Sequence, residues 1–376
     1  MSSVFIIADN IISPLGDTTA ANFAGVKLGN SGIRQVNDGK LAAEPFFASA
    51  FTPQIANDEA MYTPFEQLCI RSIKNALAHC GVSLADRETI FILSTAKGNI
   101  ALLETKALNE EVRSQVALQH TAKTIAGYFK AANTPLVVSN ACISGVLAIM
   151  VAKRLLQSGK YKHAVVTGAD MLSRFVISGF QSLHATSKAP CKPFDKLRDG
   201  ISLGEGGATV VLTMEESFAG DRKVLVHEGA TSNDANHISG PSRTGDELAF
   251  AVRIALADSN VHANDLAFIS AHGTATVYND EMESKAFETS GLSQVPLHSL
   301  KGNYGHTLGA AGVIESVLTI QSLKEGVILP SVNYNENGVS GHVNVNKNLS
   351  QTSKRHALKT ASGFGGCNAA IIYSVI

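Results

Sequence analysis

The 376 residues amount to about two and a half domains of ordinary size, and with 45% hydrophobic and 17% charged side chains the chain is too apolar for a disordered one. Thirty-one basic residues against 32 acidic ones leave a net charge of −1 with no block of like charge, which excludes the electrostatic footprint of a nucleic-acid or anionic-membrane partner. Cys69, Cys80, Cys142, Cys191 and Cys367 are an odd set without metal-ligand spacing, and no run approaches the ~18 apolar residues of a membrane span, so a reduced, cytoplasmic chain without a metal is expected.

In chain order, residues 4–8 (VFIIA) read as a buried strand, 62–82 as an amphipathic helix and 89–95 (TIFILST) as a second strand. Residues 134–159 (TPLVVSNACISGVLAIMVAKRLLQSG) are strand, tight turn and a helix closed by Gly159. Residues 163–169 and 207–215 supply a final pair of strands. The polar segment 216–223 interrupts the periodicity, and then the same order returns. Residues 224–230 are strand-like, 246–261 helical, and 266–274 a strand running into a glycine turn. Residues 295–326 are again strand, glycine turn and helix, closed by Gly326, with 342–346 and 369–376 as the last strand pair. The chain therefore reads as two equivalent α/β halves, 1–215 and 222–376, each around an apolar mixed sheet. Two unrelated nucleotide-binding domains would give the same alternation. Neither G-x-G-x-x-G after a strand nor G-x-x-x-x-G-K-[ST] occurs, however, and glycines cluster instead at 204–207, 302–312 and 363–366.

Four segments place reactive side chains where buried strands end. Cys142 follows a strand and opens an apolar helix, a strand-to-helix elbow where the helix N-terminus favours a thiolate. A free cysteine is more often an inert buried thiol, but the small neighbours Ala141, Ser144 and Gly145 leave room for a substrate. His272 sits where a strand meets a Gly-Thr turn, and His306 holds the place in the second half that Cys142 holds in the first. Strand ends bordering a crevice are where open α/β sheets bind ligands. Lys301, in the same turn as His306, disfavours an imidazolium there, and a neutral imidazole can donate to a developing oxyanion. Glu315, further along that helix, can answer the Lys301 charge. The glycines of GFGG (363–366) free the backbone to aim an N–H inward, so the N–H groups of Phe364 and Cys142 can form an oxyanion hole. A tight turn around a core phenylalanine fits that segment equally well.

Taken together, NACISG (140–145), KPFDKLRDGISLGEGG (192–207), AHGTAT (271–276), KGNYGHTLGAAG (301–312) and GFGGCN (363–368) resemble the signatures of the β-ketoacyl-acyl carrier protein synthases. The similarity is to the elongating type I and II condensing enzymes of the thiolase superfamily. The resemblance implies a thiolase-like duplicated α/β/α/β/α fold in five layers and a homodimer or a heterodimer with a second ketosynthase-like chain. It also implies ping-pong catalysis without a cofactor, with acyl- and malonyl-loaded acyl carrier protein as partner. On it, Cys142 accepts the acyl chain, while His272 and His306 promote decarboxylation of the malonyl group and stabilise the enolate. Lys301 supports His272 with Glu315 as its partner, Asp280 and Glu283 organise a loop, and Phe364 gates the site and supplies an oxyanion N–H. Initiating synthases carry Cys-His-Asn and thiolases a second catalytic cysteine. Cys367 is the one candidate for such a cysteine and, where the family usually has Thr, is read as structural.

Several features depart from that pattern. The chain is short, and residues 208–270 are trimmed where family members cover the active site. Lys97, in STAKGNI (94–100), stands at the expected acyl pocket, where a desolvated cation is costly. Either it points elsewhere or the pocket takes a short, polar or conjugated chain. Ile143 is bulky enough to narrow the pocket, and the short chain with Lys97 leans toward a specialised polyketide or polyene pathway over fatty acid synthesis. A chain-length-factor-like partner subunit of a heterodimer is the competing expectation, although such subunits lack the cysteine. Carrier proteins are acidic, so Lys188, Lys192 and Arg198 are candidates for docking.

Overall fold

Strands whose side chains are apolar without alternation must be covered on both faces, and several runs in this chain have that character. In the computed structural model, which describes residues 2–52, 61–78, 80–234 and 240–376, every residue of β2 (Thr89–Ser94), β4 (His163–Asp170) and β5 (Gly206–Thr213) is buried. The first half is completed by β1 (Phe5–Ile12) and β3 (Leu136–Val138). The second half has β6 (Val224–Asn233), β7 (Leu266–Ser270), β8 (Pro296–His298), the short β9 (Asn344–Val345), β10 (His356–Gly363) and β11 (Cys367–Val375).

These strands form one sheet in the order β9-β8-β7-β10-β11-β6-β1-β5-β4-β2-β3. Read from its outer edge, the first half runs third, second, fourth, fifth, first strand, and so does the second half, with β9 added outside it. The directions repeat as well. β2 is parallel to β3 and β4, as β7 is to β8 and β10, and β5 and β11 run antiparallel to both their neighbours. The halves meet where Phe5 and Ile6 pair with Leu225 and Val224. Equal order and equal direction are what an internal duplication predicts.

Helices complete the layers. α1 (Pro64–Leu77) begins with Thr63 and Glu66 capping each other's backbone and Pro64 in the first turn, and it lies with α2 (Leu118–Tyr128) outside the first half. α5 (Asp246–Ser259) and α6 (Val277–Thr289) cover the second half in the same way. Between the halves run α3 (Ser144–Gln157) and α7 (Ala311–Glu325), each touching strands of both. α7 is buried almost all round, as a helix packed between the two halves of the sheet must be. The result is the five-layer thiolase-like arrangement.

Some boundaries and pairings differ from the sequence reading. The 62–82 helix stops at Leu77, with residue 79 outside the described set, and the strand expected over 266–274 ends at Ser270. Residues 342–346 are not the partner of the last strand. Asn344 and Val345 form an edge pair with β8, while β11 pairs with β10 from His356↔Ser374 to Gly363↔Cys367. β10 escaped notice because Lys359 stands in its middle and breaks the apolar run. That lysine is fully buried.

Candidate active site

The nucleophile elbow is built locally. Ala141 adopts φ 44°, a left-handed conformation that is strained for a side-chain-bearing residue. Ser144 Oγ holds the turn by donating to Ala141 O at 2.6 Å and accepting from Asn140 N at 2.7 Å. In the second half Gly305, at φ 65°, precedes His306, so a residue of positive φ comes just before Cys142 and just before His306. His306 is fixed by main-chain bonds to Ser202 O and from Gly204 N. Its Nδ1 accepts from Leu308 N–H at 3.1 Å, which leaves Nε2–H as a donor.

His272 is held from both sides. Glu283 on α6 accepts the His272 and Gly273 N–H groups at 2.9 and 2.6 Å, and Lys301 Nζ donates to His272 O at 3.1 Å. The two imidazoles cross nearly edge to face, 5.1 Å apart at 82°. Cys142 Sγ and one ring nitrogen from each histidine all lie within 4.8 Å of one another. The topology thus brings together the three residues singled out from separate strand ends.

Phe364 supplies the remaining wall. Its N–H favours the charged form of the Cys142 sulfur, and Phe364, 42% exposed, stacks its ring on Phe180 of α4 (Arg174–Ser182) at 5.4 Å. Gly363 allows the approach, since a Cβ there would stand 3.0 Å from Cys142 N.

Electrostatics correct one expectation. Burial pushes the Cys142 thiol up to about 12, with Lys301 and the Phe364 N–H pulling the other way. A helix N-terminus contributes at most ~2 kcal/mol, or about 1.5 pH units, too little to restore a thiolate at neutral pH. Cys142 is therefore at rest a thiol. Both histidines are neutral: burial, then Lys301, His306 and Lys359 hold His272 well below its ordinary value, and burial, Lys301 and Lys359 do the same to His306.

Lys301 makes the expected ion pair with Glu315. Burial would raise the Glu315 carboxyl, but Lys301 and Lys359 outweigh it and hold it low. Asp280 organises its loop as expected, accepting from Phe194 N at 2.7 Å and Ala275 N at 3.2 Å; burial pushes it up to about 7.

Two residues near the site went unnoticed in the sequence. Lys359 is one, its Nζ 2.6 Å from Glu315 Oε2. The other is Asp170, which accepts from Thr95 Oγ1, Ala96 N, Lys97 N and Gly309 N at 2.7 to 3.1 Å and ties the segment after β2 to the turn after His306. Burial pushes Asp170 up to about 6 against those four bonds. Its place at the end of an apolar strand was the available signal.

Other candidates fall further out. Lys97 sits with its ammonium 5.3 Å over the ring of Phe175, which is 55% exposed. Ile143 is fully buried and lines, with Asn140, Leu147, Thr231, Ser232, Asn233 and Cys367, a cavity of about 330 Å³. Lys188 is exposed and Lys192 half-buried. Arg198 is committed elsewhere, donating to Asp195 O and Gly338 O so that it clasps two loops.

Against known proteins, residues 1–217 match the profile of the beta-ketoacyl synthase N-terminal domain and residues 223–335 that of the C-terminal domain. The chain belongs to the beta-ketoacyl synthase family. This synthase is 27% identical to 3-oxoacyl-[acyl-carrier-protein] synthase 2 of Vibrio cholerae, over 98% of both chains. It superposes on a beta-ketoacyl synthase from Burkholderia phymatum STM815 with a TM-score of 0.89, at 26% identity over the full length of both. A similar match, TM-score 0.87 at 25% identity over 99% of each chain, is to the ishigamide ketosynthase/chain length factor. The profile boundary falls between β5 and β6. No helix among the described residues is long and apolar enough to cross a membrane.

Proposed function

We propose that this synthase catalyses decarboxylative Claisen condensation between an acyl chain carried on Cys142 and malonyl-acyl carrier protein. The observation that carries this is the convergence of Cys142, His272 and His306 beneath the Phe364 N–H. In the first half-reaction Cys142 Sγ bonds to the acyl carbon, the carbon–sulfur bond to the carrier breaks, and the thiol proton leaves on the carrier thiol. The N–H groups of Cys142 and Phe364 stabilise the tetrahedral oxyanion. In the second, the malonyl carbon–carboxylate bond breaks and its electron pair passes to the thioester oxygen as an enolate. His306 Nε2–H and the His272 ring donate to that oxygen, as neutral imidazoles can. The enolate carbon then attacks the acyl carbon, and Cys142 leaves and takes up a proton.

Asp280 and Glu283 serve in this reading as the framework that aims His272, and Lys301 with Glu315 as its electrostatic support. The intact Cys142 favours the catalytic role over that of a chain-length-factor-like subunit. We further infer a dimer, with a second copy or a ketosynthase-like partner, since β3 is the outermost strand of its half and Leu136 on it is exposed. Lys188 and Lys192 suit an acidic carrier protein, and the five free cysteines suit the cytoplasm. With its ammonium at an exposed aromatic ring, Lys97 places no cation against an acyl chain and leaves the narrowing of the pocket to Ile143.

Incubation with acyl- and malonyl-carrier protein tests the proposal. Acylation of Cys142 seen by mass spectrometry, followed by carbon dioxide release and a β-ketoacyl product, is expected; an unmodified Cys142 with no carbon dioxide would overturn it. Charge reversal at Lys188 and Lys192 should raise the KM for carrier protein, and an unchanged KM would remove them from the interface.

A further inference from the structure

Glu315 carries two lysines. Lys301 pairs with its Oε1, and Lys359, from the middle of β10, approaches its Oε2 at 2.6 Å. Their side chains are 1% and 0% exposed. One carboxylate balances one of them, and the second ammonium is met by main-chain oxygen. Lys359 Nζ donates to Ser270 O at 3.2 Å and Thr360 O at 2.6 Å, while Lys301 Nζ donates to His272 O at 3.1 Å. The two ammonium groups thus grip the end of β7 at Ser270 and His272. Glu283, the other carboxylate acting on Lys359, takes Thr360 Oγ1 at 3.0 Å with the oxygen that also accepts His272 N–H.

A buried cation is tolerated only with such partners, and an apolar side chain would satisfy the same strand without them. Its place explains it. We propose that Lys359 is a positioning residue of the carbon-dioxide-releasing half-reaction, a second buried cation that keeps His272 and His306 uncharged and aimed at the site of the developing enolate. This rests on the condensing reading above. His272 is faced by His306, Cys142, Lys301 and Lys359, with Glu283 on its main chain and Glu315 behind the lysines. His306 is faced by His272, Cys142, Lys301 and Lys359. The charges acting on Cys142 are those of Lys301, Cys367 and Asp170. Acylation of Cys142 is therefore less dependent on Lys359 than decarboxylation is.

The sign follows. Removing a positive charge lets the imidazoles protonate more readily, so the acid limb of carbon dioxide release moves to higher pH. In the full-length protein, Lys359→Met is compared with wild type for Cys142 acylation and for carbon dioxide release from malonyl-carrier protein between pH 4 and 9. Relative to acylation, the acid limb of release should move up by about half to one pH unit, a three- to tenfold fall at any pH on that limb, and Lys359→Arg should restore it. If Lys359→Met does not fold, Lys359→Gln, which keeps a donor but no charge, is read the same way. An unshifted limb, or parallel loss of both half-reactions with a lower Tm, would show a purely structural lysine and overturn the proposal. Wild-type protein that releases no carbon dioxide at any pH would instead bring down the condensing reading and this inference with it.

Discussion

Gly145 and Gly312 pack backbone against backbone where α3 and α7 cross between the two halves of the sheet. A Cβ on Gly145 would stand 2.6 Å from Val313 N, and one on Gly312 2.4 Å from Val146 N. The first glycine is in the turn that presents Cys142 and the second follows the turn that presents His306, so this crossing sets the distance between nucleophile and histidine. Gly145→Ala or Gly312→Ala should each cost about 1–3 kcal/mol, as overpacking does, and should slow condensation beyond the loss of folded protein. Denaturant unfolding with condensation rate per folded molecule checks both; unaltered stability would show that the helices slide apart freely.

The buried thiol has a measurable signature. With Cys142 pushed up to about 12 by burial, the reactive thiolate is scarce at pH 7 and grows about tenfold per pH unit. Iodoacetamide labelling of Cys142, followed by mass spectrometry, should still be accelerating at pH 9.5. A plateau below pH 8 would restore the thiolate expected from the helix N-terminus.

Cys367 lies beside the nucleophile without belonging to its hydrogen-bond set. Its sulfur is 3.5 Å from Phe364 O, and a Cβ on Gly363 would stand 2.9 Å from it. Burial raises its thiol, which suits a packed group. Cys367→Ala should retain condensation within a few-fold of wild type. A drop on the order of 10²–10⁴, the scale of a lost acid–base group, would make it a second catalytic cysteine.

Glu315→Gln would leave Lys301 and Lys359 buried without a carboxylate. Breaking a buried ion pair from one side costs about 3–5 kcal/mol, so this variant should be less stable than Lys359→Met, which leaves Glu315 and Lys301 matched. Tm values of the two variants give the ranking, and the reverse order would mean that Glu315 does not neutralise the lysines.

Much of the site was legible because its signals are local. Cys142 and His272 each follow an apolar strand within a few residues, His306 lies in a glycine-rich turn that leads into a helix, and Gly305 and Gly363 mark positions where the backbone turns or approaches closely. The duplication was legible from the repeated order of strand and helix. Lys359 was not, because a lysine inside an alternating segment reads as a solvent-facing break. Glu315, which makes its burial tolerable, lies on a different element. The strand pairing of β10 with β11 was lost with it.

By itself, then, the sequence determined two α/β halves of equal order and the turns that carry Cys142, His272 and His306, since these depend on periodicity and turn chemistry within a few residues. Only the tertiary structure decided the protonation of those residues and the company they keep. Burial between the two halves makes Cys142 a thiol and both histidines neutral, and the fold brings Lys359 and Asp170 from distant strands to the same centre. Desolvation and charge act through space, and no local pattern carries them.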